Sequence, residues 1–218
     1  MSNLRWPVVL FDLDGTLANS IDLVIASYQA AFATIGRTIE RDVALRWIGE
    51  TLRQTYAREA PEAGPDMETV YRAYYADHVD QITGYPGMPE LLKSLKDAGA
   101  VIGVVTAKKR EVALVTMREA GVEGLVELIG AMEDTAAHKP DPEPLLAAAA
   151  KLGVRPETCV YVGDATYDIM AAKAAGMAVI AVTWGAGLPD ELQTLTPDAM
   201  VNDVNELAGL LMIQPGTE

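Results

Sequence analysis

A chain of 218 residues, half of them hydrophobic, can bury one large core or a core with a sizeable insertion. Its formal net charge of −14 and pI near 4.5 exclude nucleic acid and anionic membrane surfaces as natural partners, because both would be repelled. The single cysteine, Cys159, rules out an internal disulfide; with a short N-terminal apolar stretch and no run of transmembrane length, this reads as a cytoplasmic protein.

Along the chain, short apolar, β-branched runs recur: "PVVLF" ending at Phe11, "AVIGVVT" at Ala100–Thr106, "VELIGA" at Val126–Ala131, "CVYVGD" at Cys159–Asp164 and "AVIAVTW" at Ala178–Trp184, with a weaker "AMVN" from Ala199. Runs of this kind, apolar on both faces, predict strands of a buried parallel sheet. Between them, "PELLKSLKDAG", "REVALVTMREAG", "EPLLAAAAKLG" and "ATYDIMAAKAAG" carry helical spacing and end in a glycine stop. Strand and helix alternating predict an α/β fold with a doubly wound parallel sheet. One segment interrupts the alternation. From about Ser20 to Thr83 there is no convincing strand, and "SIDLVIASYQAAFATIG", "RDVALRWIG", "TLRQTYAREA" and "DMETVYRAYYADHVDQI" all have helical spacing. The expected division is a core of residues 1–18 and 84–218, with a helical insertion at 19–83. The acidic tail after Leu211 reads as frayed.

In an open parallel sheet, ligands bind beyond the carboxyl ends of the strands. The chemistry-bearing residues of this chain fall at those ends. Asp12 and Asp14 follow the first strand in "FDLDGTL", and Thr106 ends the second. Lys139 lies in "HKPDPEP" after the third, and Asp164 ends the fourth, with Asp168 one helical turn later. Clustered carboxylates repel one another and call for a cation. Hard oxygen ligands without a His or Cys cluster indicate Mg²⁺. The Thr and Lys suit an anion beside that metal, phosphate above all. Each residue also has an ordinary alternative: a turn at Asp14–Gly15, helix capping by Thr106 or Asp164, a solvated Lys139, an exposed Asp168.

Taken together, "DLDGT", a strand-terminal Thr, "KPDP" and "GDATYD" resemble the four motifs of the haloacid dehalogenase (HAD) superfamily of phosphohydrolases, in the family's order and over about two thirds of the chain. The helical insertion resembles the family's cap, and in pattern the chain is similar to phosphoglycolate phosphatases and the related bacterial inorganic pyrophosphatases. The resemblance implies a Mg²⁺-dependent hydrolysis of a small phosphorylated metabolite, a phosphomonoester of the phosphoglycolate kind, by a monomer or homodimer. It implies that Asp12 is the nucleophile forming an aspartyl-phosphate and that Asp14 is the general acid and base. Mg²⁺ is then held by Asp12, the Asp14 main-chain carbonyl and Asp164. Thr106 and Lys139 hold the phosphoryl oxygens, and Asp168 orients Lys139 or a metal-bound water. In the cap, Gly49 in "WIGETLRQTY" would permit close approach to the site, and Arg53 or Arg46 would pair with a second anionic group of the substrate. One departure stands out: the second motif reads "TAKK", with Ala107 where relatives often carry Asn.

Within the superfamily, Asp14 argues against a dehalogenase, which needs no second aspartate. A Schiff-base phosphonate hydrolase lacks its cap lysine here, since the first lysine of the chain is Lys93. Inorganic pyrophosphatase and sugar-phosphate phosphomutase stay open as alternatives. A receiver-type phospho-Asp signalling domain is the remote alternative, disfavoured by a nucleophile on the first strand and by the insertion.

Overall fold

The structure, a computed structural model, describes residues 4–212, so the tail expected to fray falls, from residue 213 on, outside the described residues. The chain begins with strand β1 (Val8–Phe11) and a two-residue strand β2 (Ala18–Asn19), then runs through helices α1 (Ile21–Ala33), α2 (Arg41–Leu45), α3 (Leu52–Glu59) and α4 (Gly64–Asp77). A second two-residue strand, β3 (Thr83–Gly84), leads to α5 (Met88–Asp97), β4 (Val101–Val105), α6 (Arg110–Glu119), β5 (Glu127–Gly130) and α7 (Glu143–Leu152). The last part holds β6 (Cys159–Gly163), α8 (Thr166–Ala174), β7 (Ala178–Val182), α9 (Pro189–Thr194), β8 (Ala199–Val201) and α10 (Val204–Leu211).

The six long strands form one sheet in the order β5-β4-β1-β6-β7-β8, all parallel. The continuous apolar runs of the sequence exist because both faces are covered. Val9 and Phe11 of β1, Val160 and Val162 of β6 and Ile180 and Val182 of β7 pack into one layer with α5, α6 and α10. Val8 and Leu10, Cys159 and Tyr161, and Val179 and Ala181 alternate into the other, with α7, α8 and α9. From β1 the chain winds outward to β4 and β5, then crosses back to β6 and winds the other way. The reversal places the ends of β1 and β6 side by side, with Phe11 in register with Val162.

The helical segment between β2 and β3 packs around its own aromatic cluster. Tyr28 meets Tyr71 at 4.9 Å and Trp47 at 5.3 Å between ring centroids, and Phe32 meets Trp47 at 5.2 Å. The chain leaves and re-enters the α/β part through one narrow ribbon, where β2 and β3 pair antiparallel with Ala18 opposite Gly84 and Asn19 opposite Thr83. These two strands escape the sequence pattern because two residues cannot show a period. Among the described residues, no helix is long and apolar enough to cross a membrane.

Candidate active site

The end of β1 builds the floor of the site. Asp12, 4% exposed, follows the strand directly, its N–H bonded to Val162 O of β6 at 2.9 Å. Gly15 then turns the chain at φ +77, and a Cβ there would stand 2.2 Å from Oδ2 of Asp164. Asp164 itself, just past β6, is fully buried. Its Oδ1 accepts from Thr16 Oγ1 at 2.9 Å and its Oδ2 from the Ala186 N–H at 2.7 Å, so it serves as no helix cap; a Cβ at Gly185 would also meet it at 2.2 Å. Thr16 thereby ties the first motif to the fourth.

Lys139 is 1% exposed. Its Nζ bonds Asp168 Oδ1 at 2.6 Å and Tyr161 OH at 3.2 Å, and forms an ion pair with Asp12 Oδ1 at 3.0 Å without hydrogen-bond geometry. Asp168 spends its other oxygen on the Ala165 N–H at 2.9 Å. It is fully buried, because the first turn of α8 faces the sheet end and not solvent. Of its two expected roles, the geometry fits the orientation of Lys139. Tyr161, which reads in sequence only as a strand residue, supports the same ammonium from β6 and passes its own O–H to Val105 O at 2.8 Å.

One carboxylate oxygen from each of Asp12, Asp164 and Asp168 lies within 4.8 Å of the other two. Burial, and then the neighbouring Asp168 and Asp14, push the Asp12 carboxyl up to about 7, against the pull of Lys139. Burial, with Asp168 and Asp12, holds Asp164 well above the usual carboxylate range. Burial works against the charge of Lys139, but Asp12 and Asp168 outweigh it and the ammonium titrates well above its ordinary range. The group fits a hard divalent cation: the ligands are oxygens, they converge from three carboxylates, and the buried Asp12 Oδ1 has no hydrogen-bond donor.

Above this floor a cleft opens under the helical segment. Asp12, Asp14, Thr106, Ala107, Lys108 and Lys109 line it from the sheet end, and Val24, Tyr28, Trp47, Gly49, Glu50, Tyr71 and Arg72 line it from the helices. Thr106 is buried, and its Oγ1 accepts from the Lys108 N–H at 3.3 Å, so it holds its own loop and not the helix start, which falls at Arg110. Lys108, which sequence reasoning left without a role, reaches both carboxylate oxygens of Asp14 at 2.5 Å. Ser20 donates to the same carboxylate. Burial disfavours the Lys108 charge, yet the Asp14 carboxylate more than compensates and raises it above the ordinary lysine range.

Gly49 lies where expected, at φ +97, with its Cα so close to the sheet end that a Cβ would stand 3.1 Å from Ala165 Cβ and 3.3 Å from Tyr167. Beside it, Glu50 accepts from Tyr167 OH of α8, from Thr55 at 3.1 Å, and from Arg58 Nη1 at 2.7 and 2.9 Å. Arg53 is a different matter. Helix α3, capped by Thr51, buries Thr55 and Tyr56, which turns Arg53 to solvent and away from the residues lining the cleft. Arg46 is also exposed and lines a separate recess with Asp42 and Glu191.

Residues 9–182 match the family model of haloacid dehalogenase-like hydrolases. The chain belongs to this family. It is an enzyme, a phosphatase of the HAD superfamily, and the sequence resemblance is thereby confirmed. The pyrophosphatase PpaX of Bacillus pumilus is 35% identical over 205 residues, covering 93% of this chain and 95% of that protein. The PpaX of Halalkalibacterium halodurans is 32% identical over 94% of this chain and 97% of its own length. A predicted phosphoglycolate phosphatase from Haemophilus somnus superposes with a TM-score of 0.81 at 25% identity, covering 93% of this chain and 96% of that one. In this HAD-like hydrolase the four motifs thus meet at one sheet end, with the helical segment beside them.

Proposed function

We propose that the protein is a Mg²⁺-dependent phosphohydrolase acting on a small phosphorylated metabolite, with residues 1–18 and 84–218 as the catalytic core and 19–83 as a cap. The observation that carries this reading is the buried Asp12 carboxylate at the base of the shared cleft, flanked by the Lys139 ammonium at 3.0 Å and by two further carboxylates.

Asp12 attacks phosphorus. The bond from phosphorus to the leaving oxygen breaks, its electron pair stays with that oxygen, and Asp14 supplies the proton. Water then attacks the aspartyl-phosphate while Asp14 takes up its proton, releasing phosphate and restoring Asp12. Lys139, fixed by Asp168 and Tyr161, and Thr106 hold the phosphoryl oxygens at no reorganisation cost. When bound by Asp12, Asp164 and the Asp14 main-chain carbonyl, Mg²⁺ supplies the positive charge that lets an anionic nucleophile meet an anionic substrate. For the substrate, the long, near-complete match to proteins named pyrophosphatase supports pyrophosphate ahead of the phosphoglycolate-like monoester expected from sequence.

The test is a hydrolysis screen over pyrophosphate, phosphoglycolate and p-nitrophenyl phosphate, with Mg²⁺ and with EDTA, followed by intact mass. Asp14→Asn keeps the nucleophile and loses the base, a loss worth about 10²–10⁴-fold, so it accumulates one phosphoryl group on Asp12. Asp12→Asn accumulates none. Near-normal turnover by Asp12→Asn, or full activity after exhaustive chelation, would overturn the mechanism.

A further inference from the structure

Asp14, the proposed acid and base, carries the Lys108 ammonium on both oxygens and Ser20 on one of them. To serve a leaving oxygen it must free one of its own. The main chain of Lys108 is fixed, its N–H on Thr106 Oγ1 and its C=O accepting from the Met132 N–H at 2.8 Å, so the part that can move is the four-carbon stem. Its Nζ also stands 4.6 Å from the ring centre of Tyr75 on α4, in surroundings that leave the Lys108 side chain 13% exposed and that of Asp14 14% exposed. A charge so enclosed leaves a carboxylate only for another anion. In this cleft, the incoming anion is the substrate.

We infer that Lys108 is a specificity and positioning residue that exchanges its hold on Asp14 for the leaving portion of the substrate, so that the site selects substrates whose leaving group is itself anionic. An anionic leaving group, a second phosphoryl or a carboxylate, draws Lys108 across and uncovers Asp14 where it is needed. A neutral leaving group offers nothing in exchange, and Asp14 stays covered. The inference rests on the phosphohydrolase reading above and names the substrate class of that same site.

The test compares pyrophosphate with p-nitrophenyl phosphate, whose leaving groups are similar in basicity but differ in charge, by kcat/KM with Mg²⁺ present. Lys108→Met should lower the ratio of pyrophosphate to p-nitrophenyl phosphate by about 10- to 100-fold, the value of a hydrogen bond between charged groups. Lys108→Arg should restore most of it. A second comparison needs no variant: the wild-type protein should prefer phosphoglycolate over ethyl phosphate, which lacks only the carboxylate, by about 10-fold or more. If Lys108→Met slows both substrates equally, or if the wild type makes no distinction between the second pair, the exchange does not occur, while the phosphohydrolase reading stands. If the wild type hydrolyses none of these compounds, the reading falls, and the inference with it.

Discussion

Lys139 balances a concentration of negative charge that the fold would not otherwise tolerate. Its ammonium sits, 1% exposed, between Asp12 and Asp168, with Asp164 behind them. Replacing it with Met leaves buried carboxylates with no counter-charge, a defect that costs about 3–5 kcal/mol. Urea unfolding at pH 7.5 should show a loss of that order for Lys139→Met without metal. The loss should shrink at pH 5, where the carboxylates take up protons instead; a loss independent of pH would mean that the charge is not what matters. Asp12, Asp14 and Asp164 are legible in sequence, because a residue's place at a strand end follows from the apolar run before it; Lys139, in the long loop after β5, is legible only through the resemblance of "KPDP" to a family motif. The partners were not. Lys108 and Asp14 are 94 positions apart, Glu50 and Tyr167 117, and nothing local to either member of a pair announces the other. Arg53 differs for the converse reason: its place near Gly49 in sequence suggests that it faces the cleft, and the helix face turns it to solvent.

At the scale of elements, the six long strands appear where the apolar runs place them, and their order explains why those runs are continuous. Helices α9 and α10 carry little sequence signal: the first is six mostly polar residues, and the second is a short helix of eight. The loop between α2 and α3 forms part of the wall of the cleft. Gly49 and Glu50 press it against the first turn of α8, through close contact at Ala165 and hydrogen bonding to Tyr167. Gly49→Ala introduces a Cβ at a positive φ, costing about 1–2 kcal/mol, into space already in contact. The loop should lift, raising KM by about 5- to 30-fold with a smaller effect on kcat. Steady-state kinetics on a small phosphate ester measure this, and an unchanged KM would show that the loop does not touch the bound substrate's path.

For the molecule as a whole, the buried carboxylates make stability depend on pH and, under the proposed function, on metal. The Asp12 carboxyl releases its proton near 3.8 in the unfolded chain and near 7 in the fold, with burial as the main cause and Asp168 and Asp14 adding to it. Between those values the folded state binds more protons, so its metal-free stability falls as pH rises toward 7. Under the proposed function, Mg²⁺ would require the ionised carboxylates and would stabilise only the fold that gathers them. The melting temperature with Mg²⁺ minus that with EDTA should therefore be small at pH 5.5 and larger at pH 8. A difference that shrinks with rising pH would contradict the carboxylate cluster as the metal site. The β2–β3 ribbon has a consequence of another kind. Because Asn19 and Thr83 are paired neighbours, both ends of the 63-residue stretch between them meet at one doorway. A two-residue turn such as Asn-Gly would close that doorway as a hairpin without rethreading a single strand of the main sheet. The helical stretch thus hangs on the main sheet by a single joint, and the strand order of that sheet owes nothing to what the joint carries.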